Sequence, residues 1–109
     1  MRIWEIPPKK LCRQHLLGEH QELHAIWSIL TNGKKGFAHH PETLRWKNKL
    51  KALYLLHEVI VAEMLSRGYL HKSPLDPLLA TGLSKQDILL ESVEEQKMIL
   101  KNRKCSCNI

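Results

Sequence analysis

The chain has 109 residues, 43% hydrophobic and 26% charged, an ordinary globular composition sufficient for one domain with a modest core. Its net charge of +6 favours an anionic partner such as nucleic acid, a lipid surface or an acidic protein. No run of eighteen apolar residues occurs, which excludes a membrane-spanning helix. Residues 1–72 hold 12 of the 17 Lys and Arg but only 6 of the 11 acids, so the basic character belongs to the first two thirds.

Residues 1–8, MRIWEIPP, predict a short arm stiffened by Pro7-Pro8 and docked by Ile3, Trp4 and Ile6. A first helix is predicted over 9–31, because Leu16, Leu23, Ile26, Trp27 and Leu30 recur at three- and four-residue steps. Asn32-Gly33 supplies its stop. Residues 31–40, TNGKKGFAHH, form a basic loop. A second helix over 41–67 opens on Pro41 with Glu42 in its first turn. It continues through Leu50, Leu53, Tyr54, His57, Ile60, Val61, Met64 and Leu65 to a stop at Arg67-Gly68. Residues 69–83, rich in Pro and Leu, form a long connection. Ser84 predicts an N-cap with Asp87 in the first turn, opening a third helix over 84–102 on Leu89, Val93, Gln96 and Leu100. No strand pattern competes. The expectation is an all-α fold: residues 1–109 as a single compact three-helix domain with a docked N-terminal arm.

Charged and proline residues interrupt the first twenty positions, so no signal-peptide core is present. A cytoplasmic, reducing location follows as the expectation, with Cys12, Cys105 and Cys107 as thiols. Metal readings compete weakly. His20 and His24 sit at i, i+4, a chelating spacing, but no third ligand is evident and the order is not His-Glu-x-x-His. Cys105 and Cys107 could join Cys12 or a histidine around an ion, yet a two-Cys tail without a partner pair reads better as free thiols.

Two features carry chemistry. A free α-amine titrates near ~7.7–8.0, against ~10.4 for lysine, so the Met1 amine is the aliphatic amine best suited to nucleophilic attack near neutral pH. His15, Glu19 and Glu22 fall at i, i+4 and i+7 on one helix face, where paired carboxylates can raise each other's pKa for general acid–base work. Separately, Lys34, Lys35, His39 and His40, followed by Arg45, Lys47, Lys49 and Lys51 beside Trp46, make a basic strip suited to phosphate contacts, with an aromatic for base stacking.

RIWEIPPKKLCRQHLLGEHQELHAIW, the NGKKGF loop, HHPETLRWKNKLKALYLLHEVIVAEMLSRGY and HKSPL together resemble the pyrimidine-dimer DNA glycosylases, the phage-type endonuclease V family. The resemblance covers residues 1–77 and fades through the third helix. It implies a small helical enzyme with glycosylase and coupled abasic-site lyase activity on ultraviolet-damaged double-stranded DNA, acting without a metal or organic cofactor. By the same resemblance the N-terminal amine forms a Schiff base at C1′ of the damaged nucleotide. Arg2 matches the family's second residue, so Met1 falls on the nucleophile position. Methionine before Arg is normally retained, which makes its own amine the expected nucleophile. Glu22 matches the catalytic glutamate; Arg2 and His15 match positions that contact DNA or frame the site. Gln21 and Ala25 replace two DNA-contacting arginines, Gln21 remaining a candidate contact, and the phage enzyme's aromatic tail is absent. A monomer acting on DNA, with no membrane partner, is expected.

Two other readings use the same residues. A non-catalytic nucleic-acid-binding helical module would keep the basic surface and lack the imine chemistry. A thiol- or zinc-dependent regulator would use Cys12, Cys105 and Cys107.

Overall fold

In the computed structural model, which describes residues 1–109, the order is an arm, a 3-10 turn Pro8–Lys10, α1 (Arg13–Asn32), α2 (Pro41–Leu44), α3 (Leu50–Ser66), a 3-10 turn Pro77–Leu79 and α4 (Val93–Lys101). The chain is all-α; its only bridge pairing joins Lys49 and Gly82. The helices α1 and α3 pack against each other. Leu16, Leu23, Ile26 and Trp27 from the first share one core with Leu53, Ile60 and Met64 from the third, which is the outcome of apolar residues at helical spacing. Burying side chains of this size stabilises by about 1.5–3 kcal/mol each.

The arm docks as its apolar residues predict. Ile3, Trp4 and Ile6 are buried in the core, and three polar tethers hold the backbone between them. Trp4 N–H donates to Glu19 at 2.7 Å, Glu5 N–H donates to Gln96 at 2.8 Å, and Arg2 pairs with Glu91 at 2.8 Å. At the arm's exit, the Arg67 guanidinium donates to the carbonyls of Pro8, Lys9 and Leu11 at 3.3, 3.4 and 2.8 Å. This pins the first turn to the end of α3.

Helix boundaries differ from the sequence expectation at three places, each with a local cause. The first helix starts at Arg13 rather than Lys9, because Pro8–Lys10 closes as a separate 3-10 turn and Cys12 takes extended N-cap geometry. Its end agrees: Gly33 adopts φ 62° and caps the last turn, a left-handed position natural to glycine.

The predicted second helix is two helices. Asn48 adopts φ 61°, which breaks the run, and α3 restarts at Leu50. The connection after α3 then lies over this break. Lys51 N–H donates to Thr81 O at 2.8 Å, Ala52 N–H to Leu83 O at 3.1 Å, and Leu83 N–H to Asn48 O at 2.9 Å. Two first-turn donors of α3 thus find partners on a distant segment. Gly82 makes the approach feasible, since a Cβ there would stand 2.2 Å from Asn48 O at φ +84°.

The last helix starts at Val93, not Ser84. Ser92 and Glu95 form a reciprocal capping box, a stronger start than a lone Ser. Asp87 is drawn to Lys49 at 3.1 Å, and Ile88 O accepts from Arg45 at 2.8 Å. Residues 84–92 therefore run as a strap across α2.

Candidate active site

The docked arm brings the start of the chain against one face of α1. Met1, Arg2, Trp4, His15, Glu19, Glu22 and Arg103 line a cavity of about 310 Å³. Met1 and Glu22 also line a second cavity of about 480 Å³ whose far wall is Ala25, Lys34, Phe37 and His40. The terminal residue is held through its side chain and its neighbour: Thr43 Oγ1 donates to Met1 Sδ at 3.3 Å, and Arg2 is tied to Glu91. Met1 and Arg2 thus meet His15, Glu19 and Glu22 at one cleft, the last three sharing the face of α1 that their i, i+4, i+7 spacing anticipates.

The two carboxylates of this face have different environments. Glu19 is 2% exposed. Burial raises its carboxyl to about 8, reinforced by the charges of Glu5 and Glu42 and opposed by the Trp4 N–H bond and Arg45. One oxygen accepts from Trp4 N–H; the other has no partner. A neutral carboxyl is the form that tolerates such an orphaned oxygen. Glu19 is therefore a strut beneath the cleft, whereas Glu22 is half-buried and faces it. The difference was not evident from spacing alone; the depth of Glu19 is set by the arm folding over it.

Cations and aromatics ring the opening. Arg2 and Arg103 lie 5.0 and 5.6 Å from the Trp4 ring, close enough for cation–π attraction. Arg103 is a lining residue that sequence reasoning did not single out; it reaches the cleft only because α4 and the tail return to α1. Lys34 and Lys35 are exposed on the loop after α1 and line a neighbouring cavity of about 530 Å³ with His39 and Lys47. Gln21 is exposed on α1. Phe37 is 69% exposed with φ 58°. A bulky residue at positive φ beside a cleft marks local strain at a place where function can use it.

The basic strip expected around Trp46 is corrected at three positions. Trp46 is 2% exposed and offers no face for stacking on a base. Arg45 is 4% exposed, and its guanidinium is fully engaged with Glu42 at 2.7 Å, Glu5 at 3.1 Å, Ile3 O at 3.0 Å and Ile88 O at 2.8 Å. Lys49 is likewise buried against Gln86 and Asp87. These residues anchor the arm and strap. The cause is α2: its single turn directs Glu42 inward, and a buried carboxylate requires a buried cation.

Two groups of metal-ligating side chains are also assembled. Cys12, His15, Cys105 and Cys107 bring their ligand atoms within 4.8 Å of one another, and so do His20, His24, His57 and His71. His15 belongs to the first group and lines the cleft as well. Burial lowers its pKa, with a further contribution from Arg103. His20 is pushed down to about 4 by burial and by its three imidazole neighbours.

The fold and cleft define a small helical protein whose first residue lines a cleft together with Arg2, His15, Glu19, Glu22 and Arg103. The family model for pyrimidine dimer DNA glycosylase matches residues 1–77, and the chain belongs to that family, whose name implies DNA glycosylase activity. Neither the curated proteins nor the solved structures give a match. The matched span contains the arm, α1, α2, α3 and the start of the connection, and so every cleft residue named above except Arg103. No helix is long and apolar enough to cross a membrane.

Proposed function

We propose that the chain removes a base from pyrimidine dimers in double-stranded DNA and cuts the strand at the resulting site, with the Met1 α-amine as nucleophile and Glu22 as the proton-moving carboxylate. The observation that carries this reading is that Met1 and Glu22 line the same two cavities. In the first step the neutral amine attacks C1′ of a damaged nucleotide extruded from the stack. The C1′–N1 bond breaks, its electron pair leaves with the pyrimidine, and the pyrimidine takes up a proton. Loss of the amine proton and opening of the C1′–O4′ bond, with protonation of O4′, give a Schiff base. Glu22 stabilises the cationic imine and moves these protons. Removal of a C2′ proton then drives β-elimination, which breaks C3′–O3′ and releases the 3′ strand as its phosphate. Water hydrolyses the imine and restores the amine.

Arg2, Arg103, Lys34 and Lys35 are the cations suited to hold phosphates around the cleft, with His15 on its wall and Gln21 as a peripheral contact. Glu19 acts through the arm: its bond to Trp4 N–H positions the segment that carries the amine.

Borohydride trapping tests the proposal on DNA with a single abasic site and on DNA with a single thymine dimer. A covalent adduct at the Met1 amine, lost when the terminus is blocked, is expected on both. Glu22→Gln is expected to bind DNA and fail to cut it. No adduct from unblocked protein that still binds DNA would overturn the chemistry and leave a nucleic-acid-binding module.

A further inference from the structure

We propose that Cys12, His15, Cys105 and Cys107 form a structural zinc site, and that His20, His24, His57 and His71 form a second, separate one. The donor types select the metal. Thiolate with imidazole is the ligand set of closed tetrahedral zinc, with Zn–S about 2.3 Å and Zn–N about 2.0–2.1 Å. Those bond lengths place tetrahedral sulfurs about 3.8 Å apart and nitrogens about 3.3 Å apart.

At the first site all four donors lie within 4.8 Å of one another, and both sulfur–nitrogen separations that follow are close to bonding range around one ion. Cys12 Sγ is 3.1 Å from His15 Nδ1, and Cys107 Sγ is 3.3 Å from the same nitrogen. Cys12 caps α1 and His15 lies one turn in, so a Cys-x-x-His pair shares one face of the helix start. The Cys-x-Cys pair arrives from the far end of the sequence. Cys12 N–H donates to Cys107 Sγ at 3.0 Å, and Asn108 N–H donates to Lys10 O at 2.7 Å beside it. An ion here fastens the tail, and with it Arg103, to the wall of the cleft.

The second site rests on different observations. Four imidazoles from α1, α3 and the connection after α3 converge, with ring centroids 4.6–5.2 Å apart. His24 Nε2 is 3.1 Å from His57 Nε2, and His71 Nε2 is 3.1 Å from His20 Nε2, the separation of neighbouring nitrogens around one zinc. His57 Nδ1 is bonded to Glu58 at 3.1 Å, the carboxylate–histidine arrangement that leaves Nε2 as the ligand. The sequence showed the His20–His24 pair without a third ligand; His57 and His71 are supplied by packing. Four protein ligands at each site leave no open position, so both ions are structural, the first bracing the cleft wall through His15 and the second lying away from it.

The test uses the full chain, reduced and purified without chelator, with zinc quantified and cobalt(II) exchanged for it. Two equivalents per chain are expected, with near-ultraviolet sulfur-to-cobalt charge transfer from the first site only. Cys105→Ser/Cys107→Ser should hold one equivalent without the charge-transfer bands. His20→Gln/His71→Gln should hold one equivalent with them. Circular dichroism confirms that each variant keeps its helices, and the single substitutions Cys105→Ser and His71→Gln serve if a pair does not fold. A parent that binds neither zinc nor cobalt overturns both sites. A cysteine variant with unchanged metal content and spectrum, or a Cys12–Cys107 disulfide under reducing conditions, overturns the first. A histidine variant with unchanged content overturns the second.

Discussion

Arg45→Met separates a structural arginine from a DNA-binding one. The side chain is 2% exposed and faces Glu42, itself 4% exposed, at 2.7 Å. Removing the cation leaves Glu42 buried with Trp46 Nε1 at 3.2 Å as its remaining donor, and also frees the carbonyls of Ile3 and Ile88. Breaking a buried pair from one side costs about 3–5 kcal/mol, against a whole-domain stability on the order of 5–15 kcal/mol. At about 4–8 °C per kcal/mol for a domain of this size, Tm should fall on the order of 15–30 °C. Urea and thermal unfolding followed by circular dichroism measure it. Adding Glu42→Gln removes the stranded charge and should recover at least about 2 kcal/mol, because replacing both members of a buried pair is far milder than removing one. Because Ile3 O loses its anchor, imine trapping should fall together with stability. A variant as stable as the parent to within about 0.5 kcal/mol, but with weakened DNA binding, would refute this account and return Arg45 to the DNA surface.

Four further outcomes follow from the cleft and the connection after α3. Glu19→Ala should lose about 1–3 kcal/mol by orphaning Trp4 N–H, while Glu19→Gln, which keeps an acceptor, retains trapping; equal behaviour of the two in trapping and stability would remove the strut role. Phe37→Ala should leave unfolding midpoints unchanged and weaken dimer-DNA binding by about 1–3 kcal/mol, the range for a lost base-stacking contact; unchanged affinity in a gel-shift titration would show that the ring touches no base. Lys34→Ala/Lys35→Ala should flatten the slope of log K against log salt by about 2, and an identical slope would place the phosphates elsewhere. Gly82→Ala should cost at least about 2 kcal/mol, since it combines backbone strain with a collision against Asn48 O; a stable variant would mean the connection does not close over the start of α3.

The parts of the fold legible in the sequence were those set by local periodicity. Leu16, Leu23, Ile26 and Trp27 announce α1 because a helix needs one apolar stripe, and Gly33 announces its end because the cap needs positive φ. The split between α2 and α3 was not legible, since it depends on Asn48 meeting Gly82, thirty-four positions later. Arg45 and Lys49 looked like surface cations because sequence displays charge and hides the partner. Of the cleft, His15, Glu19 and Glu22 could be put on one face from the spacing on α1, while Met1 and Arg2 were pointed to by the resemblance to the family. Arg103, and the company His57 and His71 keep with His20, were not legible, because these contacts exist only after the tail and the connection fold back.

Two of the arm's three tethers join residues 89 and 91 positions apart in the chain: Arg2 to Glu91, and Glu5 to Gln96. Contacts of such separation carry a large loop-closure cost and form late in folding. The Trp4 bond to Glu19 needs only α1, but the arm is fully seated only once residues 91–96 have folded back onto it. Partly unfolded molecules would carry the arm without the cleft it helps to wall, so the shape of that cleft reports on the folding of a segment some ninety positions away.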